Sequence, residues 1–142
     1  MSRSGYCDDL DDDLAFGRWR GQVASAIRGK RGQKALRDLI AALDAMPYKV
    51  LITEELQDVE GDVCALGALG NARGINMTDL DPDEPDDVAA AFDIATQLAK
   101  EIVYENDEGG RYWTETPEQR YKRMRQWVES HILPIITTEA KA

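Results

Sequence analysis

One histidine and two cysteines are all that this 142-residue chain offers to chemistry built on imidazole or thiolate. His131 has no Cys or Asp at ligand spacing. It falls in the last turn of an expected helix, where a cation suits the helix dipole better than a catalytic role. Cys7 and Cys64 stand far apart, without companions at metal-binding spacing, so free thiols in a reducing compartment are the simpler expectation than a bridge. Cys64 lies among Val63, Ala65 and Leu66, where burial keeps a thiol inert, and the acids beside Cys7 disfavour its thiolate. No nucleophile–base pair is visible. Long apolar runs are missing too: nothing approaches the roughly 20 residues that span a bilayer. The opening MSRSGYCDDLDDD has neither an apolar h-region nor a small-residue cleavage site, so the expected location is the cytoplasm. No internal repeat and no Ser/Gly/Pro-rich linker divides the chain. A single domain over 1–142 is expected, with loose termini at 1–13 and 134–142.

What is present is charge, segregated by sign. The net charge is −10, with 43% hydrophobic and 31% charged residues. From Arg18 to Arg37 there are seven basic residues and no acid; from Glu54 to Asp93 there are twelve acids against Arg73 alone. Arg120, Lys122, Arg123 and Arg125 form a second basic cluster.

Apolar periodicity predicts a mainly α fold of about five helices, with at most one small β-hairpin around 48–66. Phe16, Trp19, Val23 and Ile27 recur at helical spacing over 14–29, and Leu36, Leu39, Ile40 and Leu43 do so over 33–45 until Pro47 intervenes. These two helices read as a hairpin. Residues 48–52 and 59–66 offer two short strand candidates, with a helix through 53–57 as the alternative. A short helix follows over 64–74, ended by Gly70 or Gly74. Residues 85–104 read as one helix with a continuous face of Val88, Ala91, Phe92, Ala95, Leu98, Ala99 and Ile102. After a loop over 106–111, Thr116-Pro117-Glu118-Gln119 combines a capping box with Pro at the first helical position. The last helix turns Tyr121, Met124, Val128 and Ile132 inward.

Several segments invite a specific chemistry and fit it poorly. Asp79-Leu80-Asp81-Pro82-Asp83 begins like a calcium loop, but Glu84 stands where the turn needs Gly and Ala90 where a bidentate Glu belongs. Gly29-Lys30-Arg31-Gly32 joins glycines to positive charge before a helix N-terminus, making Arg28, Lys30, Arg31 and Lys34 a candidate anion site. It lacks the phosphate-loop spacing, and a helix–helix turn is the plainer reading. Gly67, Gly70 and Gly74 do not make the dinucleotide pattern. Carboxylates are plentiful, but most fall in segments that read as exposed, with no evident apolar pocket to perturb them. No catalytic residue, metal or cofactor is therefore expected.

The segments IRGKRGQKALRDLIAALDAMPYKVLI, GDVCALGALGNARGI and ETPEQRYKRMRQWV resemble a group of small proteins encoded in prophages and tailed phages of Gram-negative bacteria. The resemblance covers Trp19 to Val128 and implies a setting inside a bacterial host, without assigning any site residue. Small acidic phage proteins often inhibit host machinery, some by imitating nucleic acid. The expected function is thus a non-catalytic phage protein that binds and inhibits a host defence or nucleic-acid-processing complex. The contact would run through Glu54, Glu55, Asp58, Glu60, Asp79, Asp81, Asp83, Glu84, Asp86 and Asp87, which can compete for a groove built to hold phosphates. One alternative is a virion or assembly component using patches around Trp19, Trp113 and Trp127. The other is direct nucleic-acid binding by the 18–37 hairpin, opposed by the overall negative charge. On that last point the plainer expectation is that the basic stretch packs near the acidic middle segment and neutralises it.

Overall fold

The structure, a computed structural model, describes residues 13–110 and 114–134, without the side chains of Asp13 and Phe16. Expectations about the loose termini, Cys7, Phe16 and Trp113 fall outside it. Among the described residues there are six helices: α1 (Asp13–Arg28), α2 (Lys30–Ala45), α3 (Ala65–Arg73), α4 (Pro85–Phe92), α5 (Thr96–Glu108) and α6 (Pro117–His131). The mainly α expectation holds. None of the described residues forms a strand.

Helices α1 and α2 meet at Gly29 alone, so α2 begins three residues before the position read from periodicity. Gly29 N–H donates to the Ser25 carbonyl at 3.0 Å, and Gln33 N–H to the Gly29 carbonyl at 2.9 Å. A side chain at Gly32 would run into the Ala26 carbonyl, so this close approach requires glycine. Along α2, Ala35, Leu36, Leu39, Ala42 and Leu43 are buried, the i, i+3, i+4, i+7 stripe expected of an amphipathic helix. Each of these leucines contributes on the order of 2 kcal/mol by leaving water.

Helix α3 is the centre of the molecule: every residue from Ala65 to Gly70 is buried, against α2 and α5. Cys64 caps it, its Sγ accepting from Gly67 N–H at 3.3 Å. Gly67 leaves room for the Leu56 carbonyl, which a Cβ would strike. All six helices contribute to one apolar cluster, in which Leu36, Leu39, Leu66, Leu69, Phe92 and Leu98 are fully buried.

Two expectations are corrected. Residues 85–104 are not one helix, because the chain breaks at Asp93, whose φ of 54° is left-handed. Asp93 N–H donates to the Ala90 carbonyl at 3.3 Å and Ile94 N–H to the Ala89 carbonyl at 3.1 Å, the paired bonds of a Schellman ending. Ile94 is thereby buried and Ala91, expected on the apolar face, is exposed. Helix α5 then runs on to Glu108, through residues 106–108 read as loop.

The second correction concerns residues 48–66. The described structure has neither a helix through 53–57 nor a hairpin, only an isolated antiparallel bridge between Gln57 and Val63. The backbone of the 51–56 segment bonds both to its own continuation and to helices: Ile52 N–H donates to the Val63 carbonyl at 3.0 Å, and the Leu56 carbonyl accepts from Cys64 N–H at 3.3 Å. Leu51 N–H donates to the Pro117 carbonyl at 3.2 Å, and the Leu51 carbonyl accepts from Arg120 at 2.8 Å. The Ile52 carbonyl accepts from Asn106 at 2.8 Å, and Glu54 N–H donates to Asp107 at 3.3 Å. With its polar groups satisfied in this way, the extended segment needs no neighbouring strand.

Candidate interaction surface

The ten acids expected to carry a contact fall into two groups, one before and one after α3 in the chain. Glu54, Glu55, Asp58 and Glu60 precede the helix; Asp79, Asp81, Asp83, Glu84, Asp86 and Asp87 follow it. Nine of them are exposed and Asp58 is half-buried. Their hydrogen bonds are local and shape the loops. Asp58 Oδ1 accepts from the backbone N–H of Glu60 and of Asp62, both at 2.9 Å. Asp81 Oδ1 accepts from Asp83 N–H at 2.9 Å, and Asp86 from the Thr96 hydroxyl at 2.9 Å. Asp86 and Asp87 also lie in the first turn of α4, where the helix dipole favours them. Among the described residues, none of the ten is in an ion pair.

Several cations are engaged elsewhere. Arg20 holds Glu101 through two hydrogen bonds of 2.8 and 3.0 Å, Lys34 and Arg73 both hold Asp38, and Arg31 lies 3.3 Å from Asp93. Arg125 grips Asp44 at 2.6 Å. The basic stretch therefore does not neutralise the acidic middle segment: of its partners only Asp93 belongs to that segment, at the far end. Burial would raise the Asp38 carboxyl, but hydrogen bonds from Arg73 and Lys34 outweigh it and hold the group below the usual carboxylate range.

A buried polar knot joins α5, α6 and the 51–54 segment, and nothing in the sequence pattern signalled it. Glu115 takes two hydrogen bonds from Arg123, at 2.7 and 2.9 Å, and lies 3.4 Å from Arg120 Nε. Arg123 also caps the end of α5 through the carbonyls of Glu105 at 2.6 Å and Asn106 at 3.1 Å. Asn106, fully buried, accepts from Ala65 N–H at 3.0 Å and so ties the start of α3 to α5. Hydrogen bonds from Arg123 hold the Glu115 carboxyl below its ordinary range, whereas burial, reinforced by Glu101, pushes Glu105 up. Two members of the expected second basic cluster, Arg120 and Arg123, thus serve the interior.

The remaining candidates resolve into structure. His131 stacks on Trp127 with ring centroids 4.5 Å apart, and its Nδ1 lies 2.7 Å from the Trp127 carbonyl. Arg28 and Lys30 are exposed beside a cleft of about 320 Å3 formed by Ser25, Ala26, the Gly29–Gly32 turn and Ala95, while Arg31 and Lys34 are drawn off to carboxylates. Among the described residues, no group of three or more His, Cys, Asp or Glu could hold a metal ion, the 79–83 loop included. No helix among them is long and apolar enough to cross a membrane. Trp19 and Trp127 pack partly against the core, and Lys100 lies 5.0 Å over the Trp19 ring.

The sequence offered no sign of an apolar pocket, yet the surface has a groove of about 400 Å3 between the end of α2, the outer side of α3 and the 47–63 segment. Its floor is made of small residues, Ala42 and Ala45 on α2 with Ala68 and Ala72 on α3, and Tyr48 and Asp62 stand on its walls. Small side chains on two adjoining helices left this gap, a feature of tertiary pairing that no linear spacing encodes. Compared with known proteins, the chain matches no family model, no curated protein and no solved structure.

Proposed function

We propose that this protein acts by binding, without catalysis, and that its acidic loops engage a basic, nucleic-acid-binding surface of a host protein and so inhibit it. The observation that carries this reading is a contrast in pairing among the described residues: ten carboxylates that precede and follow α3 in the chain lack cationic partners, while Arg20, Arg73, Arg123 and Arg125 are held by other acids. Ten carboxylates in the segments before and after α3 offer a partner the kind of charge that DNA phosphates carry. A groove of Arg and Lys built for phosphates would accept either. The resemblance to phage-encoded proteins supplies the host setting.

Direct nucleic-acid binding by the 18–37 hairpin is less favoured, because Arg20, Arg31 and Lys34 already hold carboxylates. The decisive experiment reverses charge where side chains bear no structural bond: Glu55→Lys, Glu60→Lys and Asp83→Lys together. Tagged wild-type protein should retain a nucleic-acid-binding host protein that duplex DNA displaces, and the triple variant should lose it with an unchanged melting temperature. Retention of the same protein by the variant, or indifference to DNA, would overturn the reading.

A further inference from the structure

The acidic turn at 58–62 and the groove beside it form one surface, and the geometry points to a specific occupant: a partner's peptide segment carrying one bulky apolar side chain flanked by Lys or Arg. The inference rests on the acidic-surface reading above and adds an anchor to it.

The groove supplies the apolar part. Ala42 and Ala45 on α2 and Ala68 and Ala72 on α3 line a groove of about 400 Å3, within the roughly 300–1,000 Å3 typical of ligand clefts. Tyr48 stands at its edge with 76% of its surface exposed, well above what an aromatic ring ordinarily leaves in water. At the tip of the neighbouring turn Val59 is fully exposed. An aliphatic or aromatic side chain set between α2 and α3 would cover Tyr48 and the alanine floor together.

The charges select what flanks it. Asp62 lines the groove, and Asp58 and Glu60 occupy the same turn, which the two backbone bonds to Asp58 Oδ1 hold in shape. The cations around the groove are already engaged. Lys49 Nζ donates to the Leu43 and Asp44 carbonyls at 3.2 and 2.7 Å, Arg125 holds Asp44, and Arg73 holds Asp38 and the Phe92 carbonyl. One carboxylate, Asp62, thus lines the groove and two more stand in the same turn, none of them in an ion pair among the described residues, while the nearby cations are occupied. That combination repels a nucleic acid or an acidic peptide and suits a basic segment with an apolar anchor.

The test uses fluorescein-labelled dodecapeptides with one Leu, Ile, Met, Phe, Tyr or Trp flanked by Lys and Arg. Two control sets replace the anchor by Ala or the flanks by Glu, and poly-lysine serves as a charge-only ligand. Binding is read by anisotropy, and its place by amide shifts of the 15N-labelled chain. The expected result is binding that moves Ala45, Tyr48 and Ala72 and weakens at least about tenfold when the anchor becomes Ala, the loss that burial of one such side chain implies. Ala72→Trp, at an exposed helix position, should fill the groove and weaken binding by a similar factor; Ala45→Trp does the same from the opposite wall should the first variant melt early. Binding that ignores the anchor and shifts only residues 54–60 and 79–87, or binding of poly-lysine alone, overturns the groove while leaving the acidic surface intact. Equal binding of Glu-flanked peptides overturns the charge selection. Failure of every cationic ligand, poly-lysine included, overturns both.

Discussion

Two regions of this molecule are rich in ionisable side chains, and they use them in opposite ways. In the knot formed by Glu115, Arg120, Arg123 and Asn106, each charge or dipole meets a partner inside the fold: Glu115 serves two arginines, and the arginines close the open ends of α5 and of the 51–54 segment. In the segments before and after α3, nine of ten carboxylates are exposed and their hydrogen bonds are to residues nearby in the chain, save that of Asp86 to the Thr96 hydroxyl. The composition of the two regions overlaps. What separates them is desolvation, since a charge taken out of water must be paired while one left in water need not be. Only the second kind is available to a partner.

The comparison can be broken most forcefully at Glu115. Glu115→Gln leaves Arg120 without its counter-charge and Arg123 with Glu105 at 4.0 Å, and breaking a buried pair of this kind costs about 3 kcal/mol. For a chain of this size that lowers the melting temperature by roughly 10 °C, measurable by calorimetry. A loss within a degree or two would mean that the knot is not what joins α5 to α6.

A smaller effect comes from pH. Glu115 and Asp38 have folded pKa values below their ordinary ones, so their contribution is present above the unfolded value and is lost as pH falls through the folded one. Glu105 has the opposite sign: its raised pKa favours the folded state at low pH, and that contribution fades as pH rises from the unfolded value through the folded one. Denaturant midpoints should therefore fall on acidification below the ordinary carboxylate range. The fall should be shallower in Glu115→Gln, which no longer titrates there; parallel curves would assign acid sensitivity to other groups.

The least effect on stability belongs to the exposed loops. Glu55→Lys, Glu60→Lys and Asp83→Lys should each change unfolding free energy by less than about 0.5 kcal/mol. Together they should leave the melting temperature level or slightly higher, because relief of self-repulsion offsets any local loss. A marked drop would place these acids with the structural ones and remove the contrast.

Two helix endings illustrate what was legible. Helix α3 ends with Gly74 N–H on the Asn71 carbonyl and Ile75 N–H on the Gly70 carbonyl; α4 ends with the same pair of bonds at Asp93 and Ile94. The first could be read, because glycine adopts a left-handed φ freely and its φ here is 71°. The second could not, because Asp adopts that region less readily than glycine and does not by itself mark an ending. In the fold Arg31 lies beside the exposed Asp93 carboxylate, and Arg73 donates to the Phe92 carbonyl at 2.6 Å.

The same division runs through the candidate site. Local composition revealed both acidic groups and the capping box at Thr116. It grouped Arg120 and Arg123 with Lys122 and Arg125 in one basic cluster, because a run of basic residues does not say which of them faces inward. The groove was invisible for a related reason, since its floor is assembled from alanines some 26 residues apart on separate helices.

What the sequence by itself determined is everything that depends on neighbours along the chain. Helical stripes, caps at Thr116 and Pro85, the glycine ending of α3, and the separation of positive from negative charge all follow from short-range sterics and periodicity. Tertiary structure alone decided the break at Asp93, the extended path of 51–56, the pairing of each arginine and the gap between α2 and α3. In every one of these the deciding partner comes from a distant segment, and its contribution exists only once the helices have packed and water has been excluded between them.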